Sequence, residues 1–393
     1  MKSAFVSLGA GSFQVPLIEA ARDAGFHVIA VDRNASAPGF AAADECIQQS
    51  ITRPAHLRRR LAGGANPICA LASRSFGRAL ISGAALSDAL GVEGPDLRAA
   101  RFFQDKRRYK AALGRAGIPI PRVHDCSTEA GKARLLDAGS VVVRPPRGAG
   151  KLGLQVLHTA RQKEQLMGRT DLLVEDLVRG IEITVLGACQ GGRYETLLIT
   201  SKRVSKSEPL FAEILHRYPA EIPLHVEEQV REMMQIAVDT AGLRTSAVVG
   251  EFIFDGEKIW LVEAAPETGG EFLADWMFPA LTGQNYFRWF VDLLTSRSMP
   301  AVPDRRGSAV IRYILPHEGV FLGLDWPHSA MQQSRILAVP GQRVSRSRGN
   351  LDRLAAFCLH SLDETPESLT DRADRIAEQT EIRYEPENEN ATR

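Results

Sequence analysis

Apolar and polar positions alternate in blocks along this chain, and the blocks predict its elements. "SAFVSL", "GAGSFQ", "VPLIEAARDAG" and "FHVIAVD" read as strand, glycine turn, helix and strand, a βαβ unit opening a parallel sheet. "NPICALAS" continues as strand and "FGRALISGAALSDALG" as helix, and a helical stretch follows within "GVEGPDLRAARFFQDKRRYKAALGRAGIPIPRV". From "SVVVRPPRGAGKLGLQVL" the period changes: "LLVEDL", "IEITVLGA" and "YETLLIT" alternate like antiparallel strands. "VEEQVREMMQIAVDTAGL" has the spacing of an amphipathic helix. The prolines of "SMPAVPDRRG" mark a boundary near residue 300, and beyond it "SAVIRYIL" is strand-like and "LTDRADRIAEQTE" helical. "YEPENENATR" reads as a polar tail.

Composition narrows the function classes. At 393 residues, two or three domains are expected. A net charge of +1 argues against a nucleic-acid binder. No run is long enough to span a membrane, and the N-terminus reads as a first strand rather than a signal peptide. The five cysteines (46, 69, 126, 189 and 358) are scattered without metal-ligand spacing. They fit free thiols in a reducing compartment, so the expected location is cytoplasmic.

Four stretches carry candidate chemistry. Gly9-Ala10-Gly11 with Asp32 has part of a dinucleotide fingerprint, but Gln14 replaces its third glycine. A nicotinamide-dependent reductase is therefore the outlying alternative. In "VVVRPPRGAGKLGL", Arg144 ends a strand, and Gly148, Gly150 and Gly153 stand among Arg147 and Lys151. Freed backbone amides beside cations suit a polyphosphate, whereas Pro145 and Leu152 exclude a Walker A loop. In "LLVEDLVRGIEITV", Glu175, Asp176 and Glu182 could wall a nucleotide, with the Leu177 backbone at the base edge; solvated strand acids are the plainer alternative.

In "VVGEFIFDGEKIWLVEAAPETGG", two strands flank a turn at Asp255-Gly256. Glu251 and Glu263 are twelve residues apart, so they share a face only if the hairpin loop has an odd count. A loop over 255–257, or one residue wider on each side, is expected. Two carboxylates on one sheet face repel unless a cation lies between them, and hard oxygen ligands imply Mg²⁺.

These motifs, in this order, resemble the ATP-grasp superfamily of carboxylate–amine ligases and their carboxylase relatives over most of the chain. The resemblance implies an α/β fold with a Rossmann-like N-terminal domain (1–100), a two-part ATP-grasp domain (101–300, lid about 120–180) and a small C-terminal α+β domain (301–393). It implies ATP and Mg²⁺ as cofactors, small-molecule carboxylate and amine substrates, an acyl-phosphate intermediate and a homodimer. It assigns Lys106 and Arg144 to phosphate, Glu175 and the Leu177 backbone to adenine, Glu182 to ribose, and Glu251 and Glu263 to magnesium. The chain departs from the family where Glu-x-Asn-x-Arg is common: Ala265 and Glu267 stand in the Asn and Arg positions. Either Glu267 or Glu271 replaces the lost ligand, or metal is held more weakly, or activity is lost; Glu267 could also attract a substrate amine. Lys202, Arg203, Lys206 and Arg217 could meet an anionic substrate or form a solvated basic loop. Arg144, Lys151, Arg217 and Glu267 are the candidate catalytic residues. The alternatives of another class are a non-catalytic ATP-binding protein and a bicarbonate-activating carboxylase.

Overall fold

The computed structural model describes residues 2–75, 77–94, 97–148, 153–205, 212–327, 331–345, 350 and 352–385. The chain opens with β1 (Ala4–Leu8), α1 (Val15–Asp23), β2 (His27–Asp32), β3 (Glu45–Gln48), α2 (Pro54–Leu61), β4 (Ile68–Ala72) and α3 (Arg78–Leu90). The four strands form a parallel sheet in the order β3-β2-β1-β4. Every residue of β1 is buried, as expected of a parallel strand covered on both faces.

Next come α4 (Leu97–Gln104) and α5 (Lys106–Arg115), separated at Asp105, whose side chain caps α5 by accepting from the Arg108 amide. A small antiparallel sheet follows, built from β5 (Val141–Arg144), β6 (Gln155–Leu157) and β7 (Leu173–Asp176) with α6 (Glu129–Asp137) and α7 (Ala160–Glu164). Its core is Leu135, Val141, Val143, Leu166 and Val174.

The largest sheet draws on β8 (Ile181–Gln190), β9 (Arg193–Val204), β10 (Glu213–Tyr218), β11 (Ser246–Phe254) and β12 (Ile259–Ala265), with α8 (Leu224–Ala241) packed against it. A π-helix (Leu273–Met277), α9 (Phe278–Thr282) and α10 (Tyr286–Thr295) follow. Then come β13 (Ser308–Ile314), β14 (Gly319–Asp325), β15 (Gln333–Ile336), β16 (Arg343–Val344), β17 (Ala355–Ser361), α11 (Pro366–Gln379) and β18 (Glu381–Tyr384). Eight antiparallel strands run in the order β12-β11-β8-β9-β10-β13-β17-β15, and β16-β14-β18 form a separate small sheet. Among the described residues, no helix is long and apolar enough to cross a membrane.

The hairpin β11–β12 departs from the expected loop. Residues 255–258 make a four-residue connection, an even count. The Asp255 carboxylate closes it by accepting from the amides of Glu257 and Lys258 and from Trp260 Nε1. A bulge restores the parity. Phe252 pairs with Leu261 but Glu251 pairs with Glu263, so Val262 is the extra residue, and the two carboxylates stand directly opposite on one face.

Candidate active site

A cavity of about 770 Å³ lies between the small sheet, one face of the eight-stranded sheet and the glycine turn after β1. Sheet register explains which side chains reach it. Lys202 pairs with both Glu182 and His216, and Glu251 pairs with Thr184, so these positions share one face. A second bulge, between Glu213 and Leu215, brings Glu213 onto that face with His216 despite their odd spacing. Tyr313, two residues from the partner of His216, continues the row.

One end of the cavity is cationic. Lys106 begins α5 and Lys110 follows one turn later on the same helix face. Lys106 Nζ lies 2.8 Å from Glu263 Oε1 and donates to the Gly148 carbonyl at 2.6 Å. Arg144, the last residue of β5, donates through Nη2 to Glu175 Oε2 (2.8 Å) and to the Val262 carbonyl (3.1 Å), and Nη1 lies 3.5 Å from Glu263 Oε2. Lys110 bonds the other oxygen of Glu175. Glu175 is buried between these two cations; burial raises its carboxyl, but Lys110 and Arg144 outweigh that and hold it low. Burial pulls Lys110 down to about 8 despite Glu175. Lys110 is absent from the sequence candidates, although its i+4 spacing from Lys106 is a usable signal.

At the edge of β7, Asp176 lines the cavity, and its Oδ1 meets His124 Nε2 at 2.6 Å. The Leu177 amide donates to the Ser140 carbonyl (2.9 Å), so of the Leu177 backbone that amide is not open to a base edge. The next amide, Val178, lines the cavity and has no hydrogen-bond partner among the described residues. Glu182 Oε2 is 3.6 Å from Lys202. Gly150 and Lys151 lie outside the described residues, as does Lys206; Gly148 lines the cavity.

Acids line the same cavity, Glu263 against Lys106 and Arg144, and Glu251 and Glu267 beside it. Glu251 Oε1 lies 3.1 Å from Lys202 Nζ. Ala265 lines the wall beside Glu267, whose carboxyl is pushed up to about 7 by burial and then by Glu263 and Glu251. Glu251 and Glu263, paired on one sheet face with Glu267 in the same field, are hard oxygen donors of the kind a divalent cation takes. Lys202 is not part of a solvated loop: it sits in β9 with its side chain buried, touching Glu182, Glu213 and Glu251. Arg203 faces away and bonds Asp374.

Arg217 is also corrected. As the neighbour of His216 in β10 it projects from the other face, where it meets Glu221 (3.4 Å) and Glu367 (3.3 Å), and it does not line the cavity. Sequence reasoning missed Glu213, His216 and Arg353. Arg353 bonds Glu213 and stacks 3.7 Å from the Tyr313 ring centroid. The glycine turn is closed by its own chain. Asp32 accepts from the amides of Ala10 and Asn34, each at 2.9 Å, and Gly39 packs so tightly on Ala10 that a Cβ would lie 2.8 Å from its carbonyl oxygen. The acid that would hold a ribose in a dinucleotide site here binds two amides of its own chain.

Residues 153–275 match the family described as ATP-grasp domain. The chain carries an ATP-grasp domain. No curated protein matches the sequence. Among solved structures, the chain is similar to an L-amino acid ligase from Bacillus licheniformis, at 16% identity and a TM-score of 0.82, covering 98% of this chain and 100% of that one. Phosphoribosylglycinamide synthetase from Anaerococcus prevotii aligns at 17% identity and a TM-score of 0.76, covering 97% and 99%. The biotin carboxylase domain of 2-oxoglutarate carboxylase from Hydrogenobacter thermophilus, in complex with MgADP, ADP and bicarbonate, aligns at 16% and 0.73, covering 98% and 91%. At these identities the likeness establishes a shared fold, and the ATP-grasp architecture expected from the motifs is present.

Proposed function

We propose that this chain is an ATP-dependent ligase that joins a small-molecule carboxylate to an amine through an acyl phosphate, releasing ADP and phosphate. One observation carries the reading: Lys106, Lys110 and Arg144 converge in a single cavity with the register-paired carboxylates Glu251 and Glu263, and Lys106 and Arg144 reach Glu263 directly. The fold shared with proteins named as a ligase and a synthetase supports it, as does the neighbour that holds MgADP.

On this reading residues 1–100, 101–300 and 301–393 are the three domains. Lys106 and Arg144, with the loop carrying Gly148, Gly150 and Lys151, bind the phosphates. Glu175, Asp176 and the backbone at Leu177–Val178 line the adenine, with the Val178 amide as donor, and Glu182 accepts from the ribose. Glu251 and Glu263 hold Mg²⁺, with Glu267 replacing the family Asn. When bound, Mg²⁺ supplies charge neutralisation along the phosphate chain.

The substrate carboxylate oxygen attacks the γ-phosphorus, the bond to the bridging oxygen breaks, and ADP leaves. The amine nitrogen then attacks the acyl carbon. The C–N bond forms, the acyl C–O bond breaks, and phosphate departs while the amine proton passes to solvent. The chain's contribution is in-line placement and fixed positive charge, with no protein nucleophile.

Hydroxamate trapping tests this. With Mg-ATP, hydroxylamine and a panel of carboxylates, one carboxylate should yield hydroxamate with matching ADP release, and Glu263→Gln should lower the rate at least ~100-fold. Ala265 and Glu267 favour one rival, an ATP-binding protein without turnover. Mg-ATP binding without hydroxamate or ADP across the panel would support that rival instead.

A further inference from the structure

Away from Lys106 and Arg144, β10 and the segment after β12 assemble a group that the ligase steps leave unused. Glu213, His216 and Glu271 each contribute a donor atom, all within 4.8 Å of one another. His216 is fully buried, and its Nε2 has no hydrogen-bond partner among the described residues although it is 3.8 Å from Glu271 Oε2. Its other ring nitrogen, Nδ1, lies 3.2 Å from the Thr200 hydroxyl, which also reaches the Thr184 carbonyl at 3.2 Å. Nε2 is thus the ring nitrogen left unpartnered, and it is turned toward the acid group. Around it, Glu182, Glu213, Glu251 and Glu271 face Lys202 and Arg353, more carboxyls than cations. Among the described residues Glu271 has no Lys or Arg within ion-pair distance.

We propose that Glu213, His216 and Glu271 form a subsite for a primary ammonium group of a substrate. The proposal deepens the ligase reading and rests on it. A primary ammonium offers three N–H donors to three acceptors and a single positive charge to an acid-rich group. A divalent metal fits less well, because Glu213 already bonds Arg353 and lies 3.3 Å from Lys202 Nζ. A dication there would face two fixed positive charges at close range. Glu213, Glu271 and Arg353 line the same cavity as Glu251 and Glu263. Lys202 touches both Glu213 and Glu251, so the subsite stands one ammonium's span from the proposed metal carboxylates. Phe13, Phe272 and Leu337 add an apolar wall. A compact amino acid meets all these surfaces.

Equilibrium binding without ATP tests the subsite separately from turnover. The probes are the proteinogenic amino acids and simple primary alkylamines, each compared by calorimetry with its N-acetyl counterpart. At least one amino compound should bind, its N-acetyl partner ~100-fold more weakly. Glu271→Gln and His216→Ala should each weaken that binding at least ~10-fold. Unchanged Mg-ATP affinity in both variants shows that they are folded. Binding confined to amino acids places the ammonium on the carboxylate substrate; binding of alkylamines as well places it on the attacking amine. The proposal is overturned if no amino compound outcompetes its N-acetyl form, or if neither variant weakens binding. It also fails if Co²⁺ or Zn²⁺ binds tightly and is lost in His216→Ala. A chain that binds an amino compound yet never turns over ATP would sink the ligase reading and leave the subsite standing.

Discussion

Beside Lys106 and Glu263 in the cavity, Glu267 is far from its ordinary chemistry. Burial comes first, then the charges of Glu263 and Glu251, and together they bring its carboxyl up to about 7. Its native pKa therefore exceeds its unfolded value of 4.5, and between those two pH values the native chain holds the extra proton. Stability falls as pH rises through that window, and the full penalty stands above about 7. In metal-free buffer containing a chelator, Glu267→Gln should raise Tm by about 2–4 °C at pH 8 and by much less at pH 5. Thermal denaturation at the two pH values checks this, and an equal gap at both would contradict it. The identity of this residue was plain in the sequence, as were Glu251, Glu263, Lys106 and Arg144. Its environment was not, because the charges that act on it come from β11, β12 and α5, far apart in the chain.

At the scale of elements, strand parity decided what could be read. The βαβ opening, the long helix α8 and the carboxylate hairpin were legible because apolar spacing and turn residues are local signals. The face of a side chain is local only until a bulge intervenes. The extra residue Val262 aligns Glu263 with Glu251 across an even loop, and the bulge in β10 aligns Glu213 with His216. Neither bulge carries a glycine or proline to announce it. Arg217, chosen for its charge, lies on the wrong face for the same reason that His216 lies on the right one. A different kind of link joins α5 to the small sheet, where Lys110 and Arg144 clamp the buried Glu175 of β7. Removing Lys110 leaves one oxygen of the buried Glu175 without its cationic partner. Lys110→Met should therefore cost about 3 kcal/mol, and Lys110→Met combined with Glu175→Gln should recover at least half of it. Chemical denaturation measures both. A double variant as unstable as the single one would show that the clamp is not what fixes these elements together.

At the scale of the whole molecule, three separately built sheets meet around one cavity, and each supplies what the others lack. The glycine turn of the parallel sheet forms a wall, with Asp32 spent on holding that turn. The small sheet and α5 bring positive charge, and the eight-stranded sheet brings paired carboxylates. This complementarity is the basis for reading the cavity as a Mg-ATP site, so nucleotide binding tests the account most directly. Calorimetric titration with ATP should show binding that strengthens at least ~10-fold on adding Mg²⁺ and that loses this gain in both Glu251→Gln and Glu263→Gln. The contrary result would be ATP affinity indifferent to Mg²⁺ and to both substitutions, or tight binding of NADH with none of Mg-ATP.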